Sequence, residues 1–78
     1  MEYLPSIPDS VKEQITDSMN ESKHAQCFKI CSDLFIKSTK RNMNDYEQKK
    51  MNDAITGMGT SDTFIFHTLQ SLINLSSS

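Results

Sequence analysis

Thr63-Phe64-Ile65-Phe66-His67-Thr68-Leu69-Gln70-Ser71-Leu72-Ile73-Asn74-Leu75 is the most apolar stretch of a 78-residue chain, and its reading decides the fold. The β-branched and aromatic cluster at residues 63–66 suits a strand. Leu69, Leu72, Ile73 and Leu75 have helical spacing, and a helix over about 61–75 is expected. Thr60 or Ser61 caps it, and Asp62 favours its first turn. Its apolar groups lie on more than one side, which implies burial against more than its own hairpin.

Working back from there, Gly57-Met58-Gly59 stops a preceding helix over about 43–56. Met43, Tyr46, Met51, Ala54, Ile55 and Met58 form its apolar face, and Asp45, Glu47, Lys49 and Asp53 its wet one. Asn42 or Asn44 caps it, after the polar punctuation Ser38-Thr39-Lys40-Arg41-Asn42. Upstream, no Gly or Pro interrupts the chain between Val11 and Gly57. Val11, Ile15, Met19, Ser22 and Gln26 make one helical track, and Cys27, Ile30, Cys31, Leu34 and Phe35 a second, rotated one. A long helix over about 10–38 is expected, opened by Pro8, with Asp9 or Ser10 as cap and Glu13 completing a capping box with Ser10. Residues 20–26 have little apolar character and mark the candidate break in it. Residues 1–8, with Pro5 and Pro8, read as an extended lead-in in which Tyr3, Leu4 and Ile7 are apolar. Residues 76–78 read as a disordered tail.

The expected fold class is therefore all-α: an antiparallel two-helix hairpin with a short third C-terminal helix, one domain over 9–75. Phe28, Leu34, Phe35, Tyr46, Met51 and Ile55 are its expected hairpin core. Phe64, Ile65, Phe66, Leu69, Leu72 and Ile73 carry more apolar surface than a hairpin hides, and are the expected contact with other protein subunits.

Composition narrows the function classes. The apolar share is 36% and the net charge −2, so a dedicated nucleic-acid binder, with its basic excess, is not expected. No apolar run approaches the ~18–20 residues of a membrane span. Met1-Glu2-Tyr3-Leu4-Pro5 lacks the plan of a secretory signal and of an Arg-rich matrix-targeting peptide. Taken alone, that reads as cytoplasmic, or as a compartment entered by an internal signal. Lys37, Lys40, Arg41, Lys49 and Lys50 cluster around the inter-helix turn. They read as a solvated turn, or as a contact with anionic lipid heads at a membrane surface or with an acidic partner.

Cys27 and Cys31 are the chain's two cysteines, spaced to lie on one face of a helix. Four roles compete. They are a reduced, inert pair of small core residues. They bridge each other, against a Cβ separation of ~5–6 Å where a disulfide wants ~3.5–4.5 Å. They form a metal half-site with His24, although three ligands strung along one helix close a tetrahedron poorly. Or they belong to an oxidised partnership with another chain, or are the relic of one.

The fourth role rests on a resemblance. Ala25-Gln26-Cys27-Phe28-Lys29-Ile30-Cys31 late in an amphipathic helix, followed by a second helix with Tyr46-Glu47-Gln48-Lys49, resembles the small Tim chaperones of the mitochondrial intermembrane space over roughly residues 11–56. In that family two helices carry one Cys-x-x-x-Cys motif each, joined by two disulfides. Counted from Glu47, the second motif would fall at Lys50 and Ala54, neither of which is cysteine. The resemblance implies reduced thiols here, a mitochondrial location and a fixed place in a hetero-oligomeric, membrane-associated complex, where partners replace the lost cross-links by mass action.

Other motifs are thinner. Gly57-Met58-Gly59-Thr60 followed by Asp62 resembles the calcium loop of an annexin repeat, but no acidic residue follows Asp62 to complete such a site, and a helix–helix turn is the plainer reading. The same glycines lack the Gly-Lys-Ser/Thr ending of a phosphate loop. His67 reads as a histidine at the edge of an apolar face. No motif organises Ser, His and Asp residues for catalysis, so no enzyme and no cofactor are expected. The expected function is a non-catalytic helical complex subunit. The alternatives are a free holdase-type chaperone for hydrophobic membrane-protein segments, or a small cytosolic or viral regulator that docks on and inhibits a larger enzyme.

Overall fold

A Pro8 carbonyl starts the first helix. Pro8 is extended (φ −61°, ψ 147°), and its oxygen accepts from the amides of Val11 and Lys12 at 3.0 and 3.1 Å. The helix thus opens one residue before Ser10, and the expected Ser10–Glu13 capping box does not form; Asp9 sits in the first turn, against the positive end of the helix dipole. The computed structural model describes residues 7–57 and 59–77. Among them the chain forms α1 (Asp9–Asn20), α2 (His24–Thr39), α3 (Asp45–Thr56) and α4 (Asp62–Ser77), and no strand. All-α holds. The two-helix hairpin with a short third helix does not, because the expected long first helix is two helices.

The break at residues 21–23 has a local cause. Ser22 takes a left-handed conformation (φ 58°). Its amide donates to the Met19 carbonyl at 3.0 Å, and the Lys23 amide reaches back to the Ser18 carbonyl at 2.8 Å. Those two bonds are a Schellman ending, usually built on glycine and here built on serine. No Gly or Pro announces it, which is why periodicity alone runs through it.

The α2–α3 connection is tied by one carboxylate. Glu47 is 6% exposed, not on the wet face where its charge would place it. Its oxygens accept from Arg41 Nη1 and Nη2 at 2.9 and 2.7 Å and from the Asn44 amide at 2.8 Å. Asn44 Oδ1 in turn accepts from the Glu47 amide at 2.8 Å, completing a capping box on α3. The guanidinium also lies 5.1 Å from the Phe35 ring centroid, so Arg41 bridges the core and the loop.

At the other end, α3 stops at Gly57, where an added Cβ would sit 2.8 Å from the Asp53 carbonyl. Gly59 follows at φ 73°. Ser61 Oγ accepts from the Phe64 amide at 3.2 Å and caps α4. α4 continues through Ser77 rather than fraying at 76.

α2 and α4 each touch all the other helices, while α1 and α3, among the described residues, do not touch each other. The arrangement is a central pair with a helix on either flank. It explains why α4 is apolar on more than one side: Ile65, Leu69, Leu72 and Ile73 are all buried, alongside Ile15, Cys27, Cys31, Phe35, Met51, Ala54 and Ile55. Ile7 and Met43, just outside the helices, are buried in the same core. Tyr3 and Leu4 of the expected lead-in, and Met58 of the expected α3 face, lie outside the described residues.

Among the described residues, one buried side-chain polar atom is unsatisfied. Ser18 is 2% exposed, and its Oγ has no hydrogen-bond partner. Leaving a buried hydroxyl unpaired costs about 1–3 kcal/mol. Ser18→Ala is therefore expected to stabilise the domain by about 1 kcal/mol, read as a higher urea midpoint with unchanged slope. A lower midpoint would show that the hydroxyl is satisfied in solution.

Candidate docking groove

α3 and α4 are joined by a short connection, so they run antiparallel, and their outward sides leave a groove of about 490 Å³. Its floor is Ala54 and Leu72, both buried. Its rim carries Tyr46 on α3 and Phe64 and Leu75 on α4, which are 60%, 53% and 67% exposed. Among the described residues the other large apolar side chain so exposed is Ile36, on α2 and away from this groove.

Local geometry puts these rings outside. The inward track of α3 is Glu47, Met51, Ala54 and Ile55, and Tyr46 stands one position off it. On α4 the inward track is Ile65, Leu69, Leu72 and Ile73, and Phe64 again stands one position off. A residue displaced by one position is rotated by about 100° around the axis. Tyr46, expected in the hairpin core, is thereby a surface residue. Of that expected core, Phe35, Met51 and Ile55 are buried, while Phe28 and Leu34 pack half-buried against it. Of the expected contact set, Ile65, Leu69, Leu72 and Ile73 are taken up by the chain's own core. Phe66 is half-buried with the Lys12 ammonium 5.7 Å from its ring centroid, and Phe64 remains exposed.

The groove is amphipathic. Lys50 Nζ lies 5.7 Å from the Tyr46 ring centroid. Asp53 accepts from Lys49 at 3.4 Å, an exposed pair of little energetic weight. Asp53, His67 and Ser71 all line the groove, yet among the described residues no hydrogen bond joins them. Nucleophilic catalysis needs such groups within about 2.6–3.2 Å of one another, tightening as substrate binds.

The cysteines lie elsewhere. Cys27 and Cys31 are free, fully buried and part of the core. A hydrogen bond to Cys27, reinforced by burial, holds the Cys31 thiol well above its ordinary range. The same bond lowers Cys27, with burial and the Asp62 carboxylate acting against it. His24, the third ligand of the metal alternative, is exposed at the start of α2. Among the described residues no three His, Cys, Asp or Glu side chains converge to hold a metal ion, and no helix is long and apolar enough to cross a membrane.

Comparison with protein-family models, with curated proteins and with solved structures finds no match to this chain. The site therefore stands on its own geometry.

The basic cluster at the inter-helix turn is partly spent inside the fold. Arg41 serves Glu47, whose carboxyl is held below its ordinary value first by the Arg41 hydrogen bonds, with burial opposing and the Asn44 amide assisting. A depressed carboxyl adds stability above its unfolded value and loses it as pH falls through the folded one. Acid is thus expected to weaken the domain progressively below pH 4.5, the ordinary Glu value. Glu47→Gln should flatten that part of the pH–stability curve; parallel curves for the two proteins would show that the clasp is not formed in solution.

Proposed function

We propose that this chain is a non-catalytic helical interaction module, a subunit that joins other protein subunits through the groove between α3 and α4. One observation carries the reading: Tyr46, Phe64 and Leu75, most of the exposed large apolar surface among the described residues, stand on the rim of one groove. Buried aromatic anchors supply most of the energy in protein–protein contacts, and a groove between two helices is a common receptor for them. The Tyr46–Lys50 stack suits such a surface, since a cation held over a ring stays adaptable at a rim. The proposal does not depend on the small-Tim resemblance.

The test is mild isolation of the full chain from its own cells, side by side with Phe64→Asp and with Glu13→Gln, at an exposed position of α1, as a control. Loss of the same co-isolating proteins with Phe64→Asp, and their retention with Glu13→Gln, is the expected result. Unchanged co-isolation with Phe64→Asp would contradict the reading.

A further inference from the structure

Resting on the reading of the groove as a docking face, we infer that its occupant is a second copy of this chain, related by a two-fold axis. A two-fold interface is self-complementary: where residue i meets residue j of the partner, j also meets i. This groove has that property in its charges. Lys50 and Asp53 are its lysine and its aspartate, three residues apart on α3. A partner of single sign gains from one and is repelled by the other. An inverted copy sets each Lys50 against the other chain's Asp53, so the pairing forms twice. The Lys49–Asp53 contact that it displaces is long and exposed.

The apolar groups follow the same symmetry. α3 and α4 run antiparallel, so Tyr46 and Leu75 stand at one end of the groove and Phe64 at the other, with Lys50 and Asp53 between. Phe64 and Leu75 are eleven positions apart, roughly 16 Å along a helix. Inversion about the Lys50–Asp53 region lays the Tyr46–Leu75 end of one copy over the Phe64 end of the other. Each exposed ring then has an apolar counterpart. Size permits it: a standard contact of ~800 Å² per partner would take about 15% of the chain's 5248 Å² surface.

Sedimentation equilibrium of the full chain, from low micromolar to millimolar, reads the association directly. A monomer–dimer equilibrium is expected, abolished by Phe64→Asp with the thermal melt unchanged at low concentration. Lys50→Asp and Asp53→Lys should each weaken the dimer about tenfold. The double variant Lys50→Asp/Asp53→Lys should restore it, because the reversed pair forms again across the axis. These two sites are exposed, so that cycle stays readable even if Phe64→Asp folds poorly. A monomer at every concentration overturns the inference, and so does a dimer indifferent to the charge cycle. If the monomer result comes with loss of cellular partners in Phe64→Asp, the groove remains a docking face and the second copy alone is excluded. If cellular partners are unaffected while the dimer behaves as described, the inference holds for the isolated chain and the wider proposal of other subunits fails.

Discussion

Phe35→Ala is expected to bring the domain to the edge of unfolding at room temperature. Phe35 is fully buried, on a helix that touches all the others. Its ring lies under the Arg41 guanidinium, and its carbonyl accepts from the Thr39 hydroxyl at 2.8 Å. Removing a core phenylalanine side chain costs about 3–5 kcal/mol, the lost transfer energy plus the cavity left behind. A chain of 78 residues has about 4–12 kcal/mol of stability in all. The one substitution thus removes about a quarter of the total or more. Arg41 also loses the ring it rests on, which loosens its hold on Glu47. Phe35→Leu refills much of the space and should cost under about half as much. Urea unfolding of the three proteins checks this; a loss below about 1 kcal/mol for Phe35→Ala would mean the ring does not sit in a closed core.

The second large effect concerns the thiols. Cys27 and Cys31 have no solvent-exposed surface, and Cys31 ionises far less readily than a free thiol because of its bond to Cys27 and its burial. A thiolate is the reacting species, so the folded chain withholds access from both thiols and ionisation from Cys31 as well. In buffer, an aromatic disulfide reagent is expected to react at least about a thousandfold more slowly than in denaturant, where both thiols should titrate at once. Fast reaction of either thiol in the native protein would show that the first half of α2 opens locally. Cys31→Ser should show the same dependence on packing: it keeps the volume but buries a hydroxyl in place of a weakly polar sulfur, a change of about 1–3 kcal/mol where no acceptor is in reach.

What the residues alone disclose differs from element to element. α4 was legible because Leu69, Leu72 and Ile73 keep helical spacing, which outweighs the strand preference of residues 63–66. Its oily breadth was legible too, but not its destination. Spacing shows that several sides are apolar, and only the packing shows that α1, α2 and α3 cover them. The break near Ser22 was visible as a polar stretch, while the left-handed serine that makes it carries no compositional mark. Glu47 was misread because a carboxylate looks solvated by default. The better signal was local: Asn44 followed three positions later by Glu47 is the capping-box spacing, with Arg41 three positions before Asn44. The groove was the least legible feature. Tyr46 and Phe64 differ from core aromatics by one position in register, and which neighbours stand beside them is a tertiary fact.

Amide hydrogen exchange along α4 in dilute buffer tests most directly whether this chain closes its own core and leaves the groove as what it offers a partner. The amides of Ile65, Leu69, Leu72 and Ile73 are expected to exchange only through global unfolding, with the free energy that denaturant melts give for the whole domain. Exchange of those four at the rate of the exposed connection around Thr60, while α1 and α2 stay protected, would contradict it: α4 would then be packed only in company, and its whole oily face, rather than the groove, would be the docking surface.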